Sequence, residues 1–297
     1  MPEGDTIFRA ARTLHRALAG QVVTRFDTAY APLARVHDDT PITGRTVDGV
    51  ESHGKHLVMR FSGDLALRTH MRMHGSWHIY RPGERWQRPR SAMRIVIETA
   101  PFVAVGFDIP DAEWVKASTL GERDDAIARL GPDLLSPDFD ADAARVRLRA
   151  RGDQPIAEAL LEQRVMAGVG NVFKSEVLFE GGIHPRTPVS RLTDDQLTTL
   201  IAIAHRQLAM NVRDTPGSRG GTRRTTGRMA PGEGLWVYSR GGQPCRKCGT
   251  RIASEKQGFG ARPTWWCPRC QPAPGGVEPA KANEAPGHSA GAPRRAR

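Results

Sequence analysis

Apolar residues recur at helical spacing from the first turns of the chain. Ile7, Ala11, Leu14 and Leu18 share one face of a segment that Asp5 is placed to cap and Gly20 to stop. Past Val22 the period shortens. Val22-Val23, His56 to Phe61, Leu65 to Thr69, Trp77 to Tyr80, Met93 to Ile97 and Phe102 to Phe107 are short apolar runs separated by Gly, Pro and Asp, the pattern of a β-sandwich or barrel. Thr99-Ala100-Pro101 suits a hairpin between the last two. One β-rich domain with a leading helix is expected over 1–130.

The turn-rich stretch Leu130-Gly131-Pro132-Asp133 to Ser136-Pro137-Asp138 marks a boundary, with a linker expected over 131–152 and a helical domain over 153–212. Ile156, Leu160 and Leu161 open one apolar stripe; Gly168-Val169-Gly170-Asn171 interrupts it; Phe173, Val177 and Leu178 resume it. Two short helices joined by a glycine turn follow. A longer helix should run from Thr193 to about Asn211, with Thr193 and Gln196 as a capping box and Leu192 and Leu197 as a hydrophobic staple. Residues 213–234 are Gly-, Thr- and Arg-rich with almost nothing to bury, so a mobile basic loop is expected there. Trp236-Val237-Tyr238 has strand character and opens a cysteine-bearing segment, 235–271. The remainder, 272–297, is Pro/Ala/Gly-rich and reads as a disordered tail. The fold class is therefore α+β.

With 297 residues, 39% hydrophobic and 25% charged, the chain can form two compact domains. Charge changes the picture: 43 Lys+Arg against 32 Asp+Glu leave a formal +11, which favours a polyanionic partner through counterion release. Nucleic acid is the first candidate. No apolar run is long enough to span a bilayer and none follows a basic start, so a protein of the cytoplasm, without a membrane role, is expected.

Cys245-x2-Cys248-x18-Cys267-x2-Cys270 has the spacing by which two knuckles present four thiolates to one tetrahedral metal. Four sulfur ligands leave no open position, so one structural Zn2+ is expected; a redox dithiol or two disulfides are the alternatives. Arg251, Lys256 and Arg262 lie between the knuckles, where a small β-ribbon would aim cations at phosphates, and Trp265 and Trp266 read as core. Gly168-Val169-Gly170-Asn171 ends at a helix N-terminus, whose unpaired N–H groups suit an anion, with an Asn171 side-chain donor beside them; a plain connecting turn is the other reading.

Pro2 and Glu3 carry reactive chemistry. Removal of Met1 would leave a secondary amine with a neutral fraction near pH 7, able to attack an aldehyde-like sugar carbon and give a cationic iminium. Glu3 beside it is placed to move the proton that sugar-ring opening requires. In most proteins a proline at the second position is nothing more than a start, and from these residues alone that reading stands beside the catalytic one.

Taken in order, Pro2-Glu3-Gly4, Gly54-Lys55-His56-Leu57, His70-Met71-Arg72-Met73-His74-Gly75, Gly168-Val169-Gly170-Asn171-Val172 with Ser175-Glu176-Val177-Leu178-Phe179, Val237-Tyr238-Ser239-Arg240-Gly241 and the four cysteines resemble the Fpg/Nei family of bifunctional DNA glycosylases, on its endonuclease VIII branch. The likeness runs from Pro2 to about Gln271. It implies a helix-two-turn-helix domain and a zinc finger behind a catalytic β-sandwich domain, working as a monomer on damaged double-stranded DNA near the bacterial nucleoid without a small-molecule cofactor. By the same resemblance Pro2 is the Schiff-base nucleophile, Glu3 the acid, and Lys55 a phosphate-contacting catalytic lysine. Asn171 and Arg262 bind phosphates, Glu176 positions its surroundings, and Arg72, Met73 and His74 fill the void left by the extruded base. A Met73 buried in a β-domain strand is the competing reading of that motif.

The chain has Asp5-Thr6 where the family often carries an acid at the sixth position. Its basic loop does not closely match the base-capping loop of formamidopyrimidine-type members. Oxidised pyrimidines are therefore the expected substrates, removed with β- and δ-elimination. A formamidopyrimidine/8-oxoguanine glycosylase of the same fold and a non-catalytic DNA-binding scaffold are the alternatives.

Overall fold

The leading apolar stripe forms α1 (Gly4–Leu18), with Ile7, Ala11, Leu14 and Leu18 all buried. Its start differs from expectation. Glu3, not Asp5, is the N-cap residue, and Asp5 lies inside the first turn with its side chain buried. The reason is tertiary, because a guanidinium from far along the chain takes the Asp5 carboxylate. The computed structural model describes residues 2–122, 126–213, 223–228, 230–258 and 260–275.

Each of the six apolar runs lies wholly or partly within a strand: β1 (Val23–Thr28), β3 (His56–Phe61), β4 (Leu65–His70), β5 (Ser76–Tyr80), β6 (Met93–Thr99) and β7 (Val103–Phe107). Helix α2 (Ala31–Asp39) and strands β2 (Val47–His53) and β8 (Asp111–Lys116) went unread. Both strands are edges: the antiparallel sheets run β1-β6-β7-β5 and β2-β3-β4-β8. An edge strand buries less and needs fewer apolar residues, so its alternation is weak. The two sheets and α1 enclose one core, in which Leu14 and Leu18 meet Leu57, Met59, Phe61, Leu67, Ile95 and Ile97. β6 and β7 pair across the anticipated hairpin.

The stretch 131–152, expected as a connection, carries α3 (Ala141–Arg149) capped by Asp140. α3 packs on α6 (Asp194–Val212), and Leu148, Phe173, Leu197 and Leu208 belong to one core. α6 begins with the anticipated capping box, Thr193 Oγ1 accepting from Gln196 N and Gln196 Oε1 from Thr193 N. Between them come α4 (Ile156–Ala159) and α5 (Asn171–Glu180), joined through the glycine turn. Residues 171–179 of α5 are buried on every side, which makes it the axis of this half of the molecule.

Two further expectations are corrected. Trp236-Val237-Tyr238 is a turn: its three N–H groups donate to the Glu176 carboxylate at 2.7, 2.9 and 2.8 Å, so no neighbouring strand receives them. The described part of the basic loop is tied down, with Thr225 buried and donating to Glu176, and Arg224 N donating to Asn211 Oδ1 at 2.9 Å. Residues 214–222 and 229 of that loop, and 276–297 of the tail, lie outside the described residues. The finger is an antiparallel ribbon, β9 (Ala253–Gln257) and β10 (Arg262–Trp266), with Trp266 buried as expected.

Candidate active site

Pro2 sits half-buried immediately before α1, at the junction of the sandwich and the helical domain. Two contacts make that junction. Gly4 N donates to Gly168 O at 2.9 Å, and the Glu3 carboxylate accepts Gly170 N at 3.1 Å, Val172 N at 2.8 Å and Phe173 N at 3.3 Å. Glu3 thus occupies the α5 N-terminus, satisfying donors that the helix leaves unpaired. A phosphate at those same N–H groups was the expectation; the chain's own carboxylate fills that place. Gly170 must be glycine for this approach, because a Cβ there would stand 2.3 Å from Glu3 Cδ.

Lys55 is presented by the β2–β3 hairpin, whose Gly54 has φ 57° and donates its N–H to Asp133 Oδ2 at 2.6 Å. That bond seats the hairpin against the start of the helical half. Burial pulls the Lys55 ammonium down to about 8; Glu3 pulls the other way, while Arg262 and Arg223 add to the lowering. Lys55, Glu3, Arg223 and Arg262 therefore form one electrostatic cluster drawn from four separate stretches of chain.

Asn171 is buried where α5 meets the finger, Nδ2 donating to Pro263 O at 2.7 Å and Oδ1 accepting Lys174 Nζ at 2.7 Å. Lys174 also donates to Thr264 Oγ1 at 2.6 Å, and burial pulls its ammonium down to about 7. Arg262 is exposed at the start of β10, one residue from this joint. Glu176 is buried and fully engaged with Trp236, Val237, Tyr238 and Thr225; burial pushes its carboxyl upward against those hydrogen bonds.

Arg72, Met73 and His74 form an exposed turn between β4 and β5. Met71 is the core residue of that motif at 2% exposure, whereas Met73 is 49% exposed. Met73 is therefore not a packed strand residue. Arg72 has φ 48°, pairs with Asp111 and donates its N–H to His70 Nδ1 at 3.1 Å. Burial, with help from Arg72, holds His70 near 4, so this imidazole accepts that bond in its neutral form. Among the described residues the cysteine set is the only group of three or more side chains placed to ligate a metal, and His70 and His74 belong to no such group.

The four cysteine sulfurs lie within 4.8 Å of one another, with Sγ–Sγ distances of 3.4, 3.6 and 4.0 Å for 248–267, 248–270 and 245–270. Zn–S bonds of about 2.3 Å in a tetrahedron place sulfurs about 3.8 Å apart. The thiols are free of disulfides and fit one Zn2+.

Sequence reasoning missed two members of the site. Arg223 donates to Asp5 Oδ2 and Oδ1 at 2.9 and 2.8 Å and to Thr6 Oγ1 at 2.9 Å, joining the basic segment to the first turn of α1. The Asp5-Thr6 departure from the family pattern supplies both acceptors. Lys174 carries no local signal in the sequence, and only the finger's approach reveals its role.

Fold and site together define a protein in which a sandwich domain, joined through Glu3 and Gly4 to a helix-two-turn-helix, is followed by a four-cysteine finger. Three family models match: Formamidopyrimidine-DNA glycosylase N-terminal domain over residues 1–108, Formamidopyrimidine-DNA glycosylase H2TH domain over 130–220, and Zinc finger found in FPG and IleRS over 242–273. The chain is 44% identical over 283 residues to "Probable endonuclease 8 2" of Streptomyces coelicolor, covering 93% of this chain and 97% of that one. It is 42% identical to "DNA-(apurinic or apyrimidinic site) lyase Nei2" of Mycolicibacterium smegmatis, covering 92% and 100%. A Lactococcus lactis formamidopyrimidine-DNA glycosylase bound to abasic-site DNA has the same fold, with TM-score 0.76, 23% identity, and coverage of 92% and 100%. The chain belongs to the Fpg/Nei family of DNA glycosylases, on its endonuclease VIII branch.

Proposed function

We propose that the protein is a base-excision-repair glycosylase and AP lyase that removes oxidised pyrimidines from duplex DNA, with Pro2 as nucleophile. The glycosylase/lyase activity follows from family membership; the residue roles are our reading. The Pro2 nitrogen attacks C1′ and the N-glycosidic bond breaks, the base leaving with its electron pair and taking up the proton that the Pro2 nitrogen gives up. Glu3 protonates the ring oxygen as the sugar opens, and the iminium forms between Pro2 and C1′. Loss of a C2′ proton expels the 3′-phosphate, and loss of a C4′ proton then expels the 5′-phosphate. Lys55, with its pKa near 8, exists in both protonation states at neutral to mildly alkaline pH and can exchange protons as well as hold a phosphate.

The observation that carries this reading is the seat of Glu3. Its carboxylate, carried by the residue next to Pro2 in the chain, is fixed by three backbone donors, so a proton-transfer group is held in a defined place at this junction. Asn171, at the joint, and Arg262, on the exposed ribbon, are assigned to the phosphates flanking the lesion, and Arg72, Met73 and His74 to the void. Cys245, Cys248, Cys267 and Cys270 would hold one Zn2+ through four thiolates, and such a metal would supply rigidity to the ribbon and no chemistry. Likeness to proteins named endonuclease 8 supports reading oxidised pyrimidines, rather than 8-oxoguanine, as the substrates. The protein works as a monomer in the bacterial cytoplasm on nucleoid DNA. Among the described residues no helix is long and apolar enough to cross a membrane.

Borohydride trapping on duplexes carrying thymine glycol, 8-oxoguanine or an abasic site tests this. A covalent adduct on thymine glycol that disappears when Met1 is retained supports it. Tight binding with no adduct on any lesion overturns it in favour of a non-catalytic scaffold.

A further inference from the structure

The exposed turn Arg72-Met73-His74 bridges the two sheets, because β4 belongs to one and β5 to the other. Lys55 lies on the β4 side of that turn, where His56 pairs with His70. On the β5 side lies the loop joining β5 to β6, which carries Arg81, Arg85, Arg88 and Arg90 against one acid, Glu84, and leads into Arg94.

This loop is held in place against the turn. Arg88 donates to His74 O at 3.3 Å, to Ser76 Oγ at 3.1 Å and to Asp108 Oδ2 at 2.5 Å. Trp86 packs edge-on to Phe107 at 5.7 Å, and the Arg90 guanidinium lies 5.2 Å from the Trp86 ring centre. Arg94 shares a cleft of about 590 Å³ with Arg72, Met73 and His74. Asp108 and Asp111 neutralise part of the charge through Arg88, Arg94 and Arg72, while Arg85 and Arg90 are exposed, Arg90 against the Trp86 ring.

A side chain wedged into a duplex has a strand on either side of it. With the reacting strand on the Lys55 side, the other side faces the complementary strand. We infer that the β5–β6 loop is a second DNA-binding surface, whose Arg85 and Arg90 contact phosphates of the strand opposite the lesion. The inference rests on the proposed glycosylase function and assigns a strand to each flank of the wedge.

The test compares the wild type with the Arg85→Gln/Arg90→Gln double variant on three abasic-analogue DNAs. These are a duplex, the same duplex with uncharged methylphosphonate linkages in the complementary strand, and the lesion strand alone. Two lost phosphate contacts should lower the slope of log affinity against log salt by about 2 on the natural duplex and reduce affinity by on the order of tenfold at moderate salt. On the neutralised duplex and the single strand the variant should match the wild type. Equal loss on all three DNAs, or an unchanged salt slope, overturns the assignment. Failure of the wild type to be trapped on any lesion would overturn the glycosylase reading instead, a result separate from these affinity differences.

Discussion

Glu3 and Val172 stand 169 positions apart in the chain, and their 2.8 Å hydrogen bond joins the first residues of the sandwich domain to the central helix of the other. The bond serves two ends at once. It caps a buried helix and it fixes a carboxylate beside the candidate nucleophile.

Glu3→Gln keeps the size of the side chain but replaces one acceptor oxygen by a donor facing backbone N–H groups. Base excision should fall by about 10²–10⁴-fold, the usual contribution of a positioned acid. Thermal unfolding should shift downward, since a helix cap of this kind contributes about 1 kcal/mol. Single-turnover kinetics beside a melting curve separate the two effects, and retained excision with lowered stability would assign Glu3 a purely structural role.

Zinc removal should act on DNA binding before chemistry. Without metal the thiolates no longer hold Pro263 and Thr264 against Asn171 and Lys174, so the ribbon loses its register on α5. Chelation is expected to weaken affinity for an abasic-site duplex, measured by fluorescence anisotropy. Unchanged affinity after verified metal loss would remove zinc from the binding mechanism.

Met73→Ala should impair excision from duplex more than from single-stranded lesion DNA, because only a duplex has a void to fill. Its 49% exposure means that stability should change by no more than about 0.5 kcal/mol. Equal impairment on both substrates would indicate some other role.

Lys174 makes stability depend on pH in a defined direction. Burial lowers its folded-state value from 10.5 to about 7, so between those limits the unfolded chain binds more protons than the folded one. Stability therefore rises with pH across that window, by at most about 5 kcal/mol from this group, and the contribution levels off below 7 and above 10.5. Lys174→Met should flatten the pH dependence of denaturant midpoints relative to wild type; parallel curves would show that the amine is not perturbed.

Strands built on a continuous apolar run were legible from that run alone, the edge strand β5 as well as the inner β3, β4, β6 and β7, and the Thr193–Gln196 capping box was legible because it uses only residues three apart. Asp5 shows where such reading stops. As a local residue it is a good cap, but Arg223 reaches it from 218 positions away, and a buried bidentate ion pair outweighs a single capping bond. Trp236-Val237-Tyr238 was misread for the same kind of reason, since one buried carboxylate on α5 takes three N–H groups that a strand would have given to a neighbour.

Short-range pattern alone determined the cysteine ligand set, the α+β class and the adjacency of Pro2 and Glu3, because spacing and periodicity are properties of neighbouring residues. Tertiary structure decided which charges meet. Glu3 sits on the α5 N-terminus, Asp5 holds Arg223, Lys174 is buried against the finger, and Lys55 is lowered toward neutral pH, each through contact between residues that sequence keeps far apart. Desolvation and hydrogen bonding act at distances of a few ångströms, so they exist only once the chain has folded.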